Sequence, residues 1–268
     1  MTTHLRAAIF DWAGTVIDFG SRAPMGAFVE AYRRFGVDIS VSEARKPMGL
    51  PKRAHIAALM AEPAIAGRWA DQHGAPPGET EIDQLYDVFV PLNTEVVAEF
   101  CTLIPGAVEM ANAVRARGMK LGSTTGYVRP IMERVLPLAA AQGYQPDNLV
   151  CAGDLADGRP TPLMMYRCFA DLGVYPPSAV VKIDDTEPGI LEGLAAGTWT
   201  VGVSISGNCV GLSAEEWAAT PEEDQATLRA HAEAQLLGAG AHFVIDSIAD
   251  LMPVLDEIET RMARGEAP

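Results

Sequence analysis

Five short, nearly unbroken apolar runs punctuate the chain, at 7–10, 120–123, 149–151, 180–183 and 198–203. Between the later runs, apolar positions recur every three or four residues, over 107–117, 131–142, 162–172 and 188–196. That spacing gives a helix one core-facing stripe, whereas an unbroken apolar run suits a strand buried on both faces. Strands and helices in alternation predict an α/β fold with a Rossmann-like parallel sheet covered on both sides. Residues 21–99 break the pattern. They contain no clear strand and read as helices over 24–35, 51–60, 65–72 and 81–100, with Gly74-Ala75-Pro76-Pro77-Gly78 as a loop. They are expected to form a helical domain inserted after the first strand, leaving 1–20 and 100–268 as the α/β core. A further strand over 242–245 and a terminal helix over 247–264 are expected near the end.

Composition narrows the chemistry. A chain of 268 residues, 49% apolar, is long enough for a sizeable core. Its formal charge of −15 argues against nucleic acid, whose phosphates need a basic face. An anionic substrate must then be drawn in by local cations and a metal rather than by the global field. Cys101, Cys151, Cys168 and Cys209 show no C-x-x-C spacing, so free thiols in a reducing cytoplasm are expected. Met1-Thr2-Thr3-His4-Leu5-Arg6 has no long apolar stretch behind it, so no secretory leader is expected, nor a membrane span.

In an open parallel sheet, ligands bind at the carboxyl ends of strands. Asp11, Thr125 and Asp185 all fall there. In Asp11-Trp12-Ala13-Gly14-Thr15, a strand-end carboxylate is followed by a glycine turn and a hydroxyl. Such a group suits phosphoryl transfer, although a strand-end aspartate is also a common helix cap. Lys52 is one of only four lysines. Pro51 suits the first position of a helix, which puts Lys52 in the first turn, where the helix dipole disfavours an ammonium. A solvated surface lysine is the plainer alternative. The shift matters because a lysine with pKa of about 10.4 is neutral at pH 7 in roughly one molecule in a few thousand. His55 lies three residues on, over the same face. Asp184 and Asp185 would repel each other unless a cation sits near them, and oxygen ligands at a phosphate site suggest Mg²⁺.

These pieces resemble the haloacid dehalogenase superfamily, whose opening motif is Asp-x-Asp-Gly-Thr, and within it the phosphonatase family. The second resemblance rests on the segment from Glu43 to His55, with Arg45-Lys46-Pro47-Met48-Gly49-Leu50-Pro51-Lys52 at its centre. Gly122-Ser123-Thr124-Thr125-Gly126-Tyr127, Gly158-Arg159-Pro160, Asp184-Asp185-Thr186 and Trp199-Thr200-Val201-Gly202-Val203 extend it over most of the chain. The resemblance implies a core of the haloacid dehalogenase type with a helical cap. Asp11 would be the nucleophile and Lys52 the Schiff-base residue, with His55 and Met48 at the active site. Thr125 and Gly126 would hold the phosphoryl group, Tyr127 would line the cap interface, and Arg159 would bridge nucleophile and phosphonate. Mg²⁺ would rest on Asp11, the backbone carbonyl of Ala13, Asp185 and, second to it, Asp184. A homodimer joined through the caps is also implied, for which Ala27, Val29, Ala31 and Phe35 offer apolar positions.

Two departures stand out. Ala13 replaces the superfamily's second aspartate, the general acid and base. Gly189 stands where many relatives carry another aspartate. Either the site is dead, or its leaving group needs no proton from position 13. The phosphonatase resemblance implies the latter: hydrolysis of the carbon–phosphorus bond of phosphonoacetaldehyde, with an iminium on Lys52 absorbing the electrons. A phosphoglycolate or sugar-phosphate phosphatase is the alternative enzyme, and a scaffold that only binds a partner the alternative class.

Overall fold

The computed structural model describes residues 4–268. Met1, Thr2 and Thr3, part of the stretch expected to lack a leader, lie outside the described residues. The chain runs β1 (Ala7–Phe10), α1 (Ala23–Arg34), α2 (Val41–Arg45), α3 (Lys52–Ala61), α4 (Pro63–His73) and α5 (Glu79–Val96). It continues through α6 (Ala107–Ala116), β2 (Lys120–Val128), α7 (Arg129–Ala141), β3 (Val150–Ala152), α8 (Leu163–Leu172) and β4 (Val180–Asp184). It closes with α9 (Glu187–Ala195), β5 (Trp199–Val203), α10 (Ala214–Ala219), α11 (Glu222–Gly238), β6 (Phe243–Ile245) and α12 (Leu251–Ala263).

All strand pairs are parallel, in the order β3-β2-β1-β4-β5-β6. Alternate residues of β1 feed opposite cores: Ala8 and Phe10 join one, Ala7 and Ile9 the other. This two-sided burial is why β1, β4 and β5 read as unbroken apolar runs. The chain builds outward from β1 to β3, then returns to lay β4 on the other side of β1. The crevice at that reversal is the place where such sheets bind ligands. Phe10 pairs with Ile183, so Asp11 stands level with Asp184.

Helices α1–α5 enclose an apolar cluster of their own, including Phe28, Tyr32, Ile56, Leu59, Trp69, Leu85 and Phe89. The linkers into and out of this layer run side by side, the Asp18 N–H donating to the Thr102 carbonyl at 3.2 Å. The Asp18 carboxylate accepts the N–H groups of Arg22 and Ala23 at 3.0 and 2.9 Å, which fixes the start of α1. Among the described residues, no helix is long and apolar enough to cross a membrane.

Four expectations need correction. First, β2 does not stop at Ser123 but runs to Val128, so Thr124–Tyr127 lie within the strand rather than after it. The Thr124 and Thr125 hydroxyls are buried with partners, and such polar positions hide the strand from an apolar count. Second, α2, α10 and α11 were not expected. α11 buries only Ala232 and Leu236, so it lacks the apolar stripe that betrays a helix. Third, α3 begins at Lys52, with Pro51 one position before it. Finally, Ala27 and Ala31 are turned into the helical layer's own core and cannot meet a partner, while Val29 and Phe35 remain half-buried.

Candidate active site

One small cleft between the helical layer and the sheet's carboxyl edge gathers most of the expected residues. Asp11, Ala13, Met48, Lys52, Thr125, Gly126, Tyr127, Arg159 and Asp185 line it, together with Ser21, Pro24, Gly49 and Thr186. A wider crevice of about 300 Å³ lies beyond Met48 and Thr186, but brings none of the buried aspartates to its wall. The chemistry therefore belongs to the smaller cleft.

Lys52 is buried, its Nζ 3.9 Å from the Met48 sulfur and 5.2 Å from the centre of the Tyr127 ring. Burial is the first cause lowering its pKa to about 8; Asp11 opposes the shift and Arg159 adds to it. Desolvation was not the cause read from the sequence, which pointed to the helix dipole. His55 is buried against Phe28, the rings stacked 4.0 Å apart. Burial, then the Lys52 charge, hold its pKa well below the ordinary value. Its Nε2 lies 2.8 Å from the Ala44 carbonyl, which can only accept, so Nε2 carries the proton of the neutral ring. Among the described residues Nδ1 has no partner and is left as an acceptor.

Asp11 is held by Arg159, whose Nη2 lies 2.8 Å from Oδ1. Burial and Asp184 raise the Asp11 pKa to about 6, against Arg159 and Lys182. Below the cleft lies a network that the sequence did not disclose. Glu192 Oε2 accepts from the Thr124 hydroxyl at 2.8 Å and from Arg159 Nε at 3.1 Å, and lies 3.3 Å from Lys182 Nζ. Lys182 also donates to Thr124 Oγ1 at 2.7 Å and pairs with Asp184 at 3.0 Å. The only hint was a lysine inside the apolar strand Val180-Val181-Lys182-Ile183 and a glutamate in the apolar helix Ile190-Leu191-Glu192.

The two adjacent aspartates are not equivalent. Asp184 accepts from the Thr186 N–H and hydroxyl, at 3.1 and 2.7 Å. Burial would raise its pKa, but Arg159 and Lys182 hold it below the ordinary carboxylate value. Asp185 pairs with no cation among the described residues. It accepts the Asn208 N–H at 2.8 Å and the Thr15 hydroxyl at 3.4 Å. Burial, Asp11 and Asp184 push its pKa well above the ordinary value.

Glycines let these carboxylates approach. Gly14 has φ +83°, and a Cβ there would come within 2.2 Å of Asp185 Oδ2. At Gly189 a Cβ would lie 1.9 Å from Asp184 Cγ. Asp184 thus fills the space beside position 189.

Oxygens of Asp11, Asp184 and Asp185 lie within 4.8 Å of one another. With Glu192, four buried carboxylates face two permanent cations, Arg159 and Lys182. Three clustered carboxylates, one of them without a cation partner among the described residues, and their hard oxygen donors fit a divalent cation.

A parallel sheet of this order, a strand-end aspartate and an acidic trio at its reversal point define a haloacid dehalogenase-like hydrolase. The family model of that description, haloacid dehalogenase-like hydrolase, matches residues 5–197. The phosphonoacetaldehyde hydrolase of Paraburkholderia phytofirmans is 53% identical over 265 residues, 99% of each chain. That of Paraburkholderia xenovorans is 54% identical over the same length and coverage. A crystal structure described as a phosphonoacetaldehyde hydrolase-like protein from Oleispira antarctica superposes with a TM-score of 0.97 at 46% identity, covering 98% of this chain and 96% of that one. The chain belongs to the phosphonoacetaldehyde hydrolase family of the haloacid dehalogenase-like hydrolases.

Proposed function

We propose that this chain hydrolyses phosphonoacetaldehyde to acetaldehyde and phosphate. The observation that carries the reading is the pairing, in one cleft, of a buried amine that titrates near neutrality with a strand-end carboxylate backed by Arg159. The neutral amine of Lys52 attacks the aldehyde carbon, and the carbinolamine takes up one proton and loses water to leave an iminium. Arg159, Thr125 and Gly126 hold the phosphonate oxygens. An Asp11 oxygen attacks phosphorus while the carbon–phosphorus electrons move into the iminium, giving an enamine and an aspartyl-phosphate. The enamine carbon takes a proton, water hydrolyses the resulting iminium, and acetaldehyde leaves with Lys52 restored. Water then releases phosphate from Asp11.

His55 does not line the cleft; its buried ring stacks on Phe28, which also faces Lys52, and assistance to proton transfer near the imine is the role we assign it. Met48 and Tyr127 wall the amine from water. The superfamily's acid is needed when the leaving group is an alkoxide, and an enamine needs no proton at that instant. Ala13 is therefore tolerable here and would cripple an ester phosphatase.

Asp11, Asp185, the Ala13 carbonyl and, less directly, Asp184 are the residues that would hold Mg²⁺. Bound there, it would screen the charge between carboxylate and phosphonate. We read α1–α5, within residues 21–99, as the cap domain, and the chain as a cytoplasmic homodimer joined through it. Half-buried Val29 and Phe35 and the four free cysteines support that reading.

Borohydride added with phosphonoacetaldehyde tests the core of the proposal. It should inactivate the enzyme and leave a reduced adduct on the peptide containing Lys52. An adduct only on Lys46, Lys120 or Lys182 would overturn the assignment.

A further inference from the structure

The loop after β5, residues 204–211, touches three other parts of the chain. The Ser206 carbonyl accepts the Gly20 N–H at 2.8 Å, and the Ser206 hydroxyl donates to the Gly14 carbonyl at 3.0 Å. Two residues on, the Asn208 N–H holds Asp185 Oδ2 at 2.8 Å. The third contact descends from the helical layer. Arg45, the last residue of α2, places Nη1 3.2 Å from the Asn208 carbonyl, 3.0 Å from its side-chain oxygen and 2.8 Å from the Gly20 carbonyl. Its Nη2 donates to the Gly211 carbonyl at 3.3 Å. A Cβ on Gly211 would come within 2.7 Å of the guanidinium carbon, so the loop is shaped to receive this side chain. Arg45 forms no ion pair within 4.0 Å among the described residues; its donors are spent on oxygens of the loop and linker. Only a planar fork reaches several carbonyls at once.

Arg45 and Asp185 therefore share one intermediary. Arg45 holds the oxygens of Asn208, and the Asn208 amide holds one oxygen of Asp185. We propose that Arg45 is a positioning residue that couples the seating of the helical layer on the core to divalent-cation binding at Asp185. The proposal rests on reading the three aspartates as a cation site. With Arg45 engaged, the Asn208 backbone is fixed and the Asp185 carboxylate is held in one orientation. When the helical layer lifts, Asn208 is released, the carboxylate gains freedom, and cation affinity falls. Linkage makes the effect reciprocal: a cation that prefers the fixed carboxylate tightens the seating of the layer by the same factor.

The test uses substrate-free protein and Mg²⁺ alone. Melting temperature is titrated against Mg²⁺ for wild type, Arg45→Met and Arg45→Lys, and amide hydrogen exchange is followed over residues 18–22 with and without the ion. Arg45→Met should weaken Mg²⁺ binding roughly tenfold, as loss of an outer-shell partner does. Arg45→Lys should recover only part, because an ammonium cannot span the same carbonyls. Mg²⁺ should slow exchange at the linker in wild type and not in Arg45→Met. A variant that melts lower but binds Mg²⁺ as wild type does would make Arg45 a structural latch and overturn the proposal. If Arg45→Met fails to fold, Arg45→Lys carries the same comparison. Wild type showing no response to Mg²⁺ would instead remove the cation reading on which the proposal stands.

Discussion

Glu192 Oε2 lies 3.1 Å from Arg159 Nε, and both side chains are sealed from solvent. The glutamate therefore fixes the guanidinium from behind while Asp11 meets it in front. Glu192→Ala should destabilise the fold by about 3–5 kcal/mol, because it strands buried positive charge on Arg159 and Lys182. Glu192→Gln keeps the shape and costs less. It should raise KM for phosphonoacetaldehyde by about tenfold, about 1.4 kcal/mol of lost binding, through a less constrained Arg159. Urea unfolding and steady-state kinetics check both. Normal kinetics in a folded Glu192→Gln protein would confine the residue to stability.

Lys52 titrates at about 8 instead of 10.5, burial being the main cause. Below about 8 both folded and unfolded chains carry this proton, and the folded state bears the whole cost of a buried ammonium. Between 8 and 10.5 the unfolded chain binds more protons, so stability rises with pH; above 10.5 the cost is gone. Lys52→Met should accordingly be more stable than wild type at pH 7 by up to roughly 3 kcal/mol. The gap should shrink to under about 1 kcal/mol at pH 10. Denaturant unfolding at the two pH values measures it, and a gap independent of pH would refute the cause.

Asp185 sits against two other carboxylates with no cation of its own. Asp185→Asn should raise the Mg²⁺ needed for half-activity by roughly tenfold or more, as loss of a charged oxygen ligand does. It should also raise the melting temperature of metal-free protein, because one repelling charge has gone. An unchanged Mg²⁺ curve would shift the site toward Asp184.

Ala13→Asp should leave phosphonoacetaldehyde cleavage no faster, and slower if the new carboxylate repels Asp11 and substrate. It should bring weak activity on p-nitrophenyl phosphate by restoring an acid for an ester leaving group. The check is kcat/KM for both substrates in both proteins. A large gain on phosphonoacetaldehyde would show that the natural reaction lacks a proton donor there.

The residues that touch the cleft were legible because motif and strand end coincide at Asp11 and Asp185, because Gly158-Arg159-Pro160 stands out as a motif, and because Lys52 opens a helix. The layer beneath them was not. Lys182 and Glu192 are ten positions apart on a strand and a helix, and each looks like a stray charge until β4 and α9 pack together. Thr124 gave no sign of its place in the network because a buried hydroxyl is indistinguishable, in sequence, from an exposed one. For Lys52 the direction of the shift was legible and its main cause was not, since burial depends on Met48, Phe28 and Tyr127 arriving from elsewhere. The helices around residues 214–238 were missed for the opposite reason: they bury too little to leave a pattern.

The room beside Gly189 is taken by the Asp184 carboxylate, 1.9 Å from where a Cβ would stand. An aspartate at 189 is therefore not one mutational step away. It becomes reachable only after residue 184 has shrunk or turned aside, and residue 184 cannot do either while Lys182 and Arg159 depend on its charge. Gly189→Asp alone should therefore disrupt the Asp184 network, and a smaller residue at 184 would be needed to make room for it.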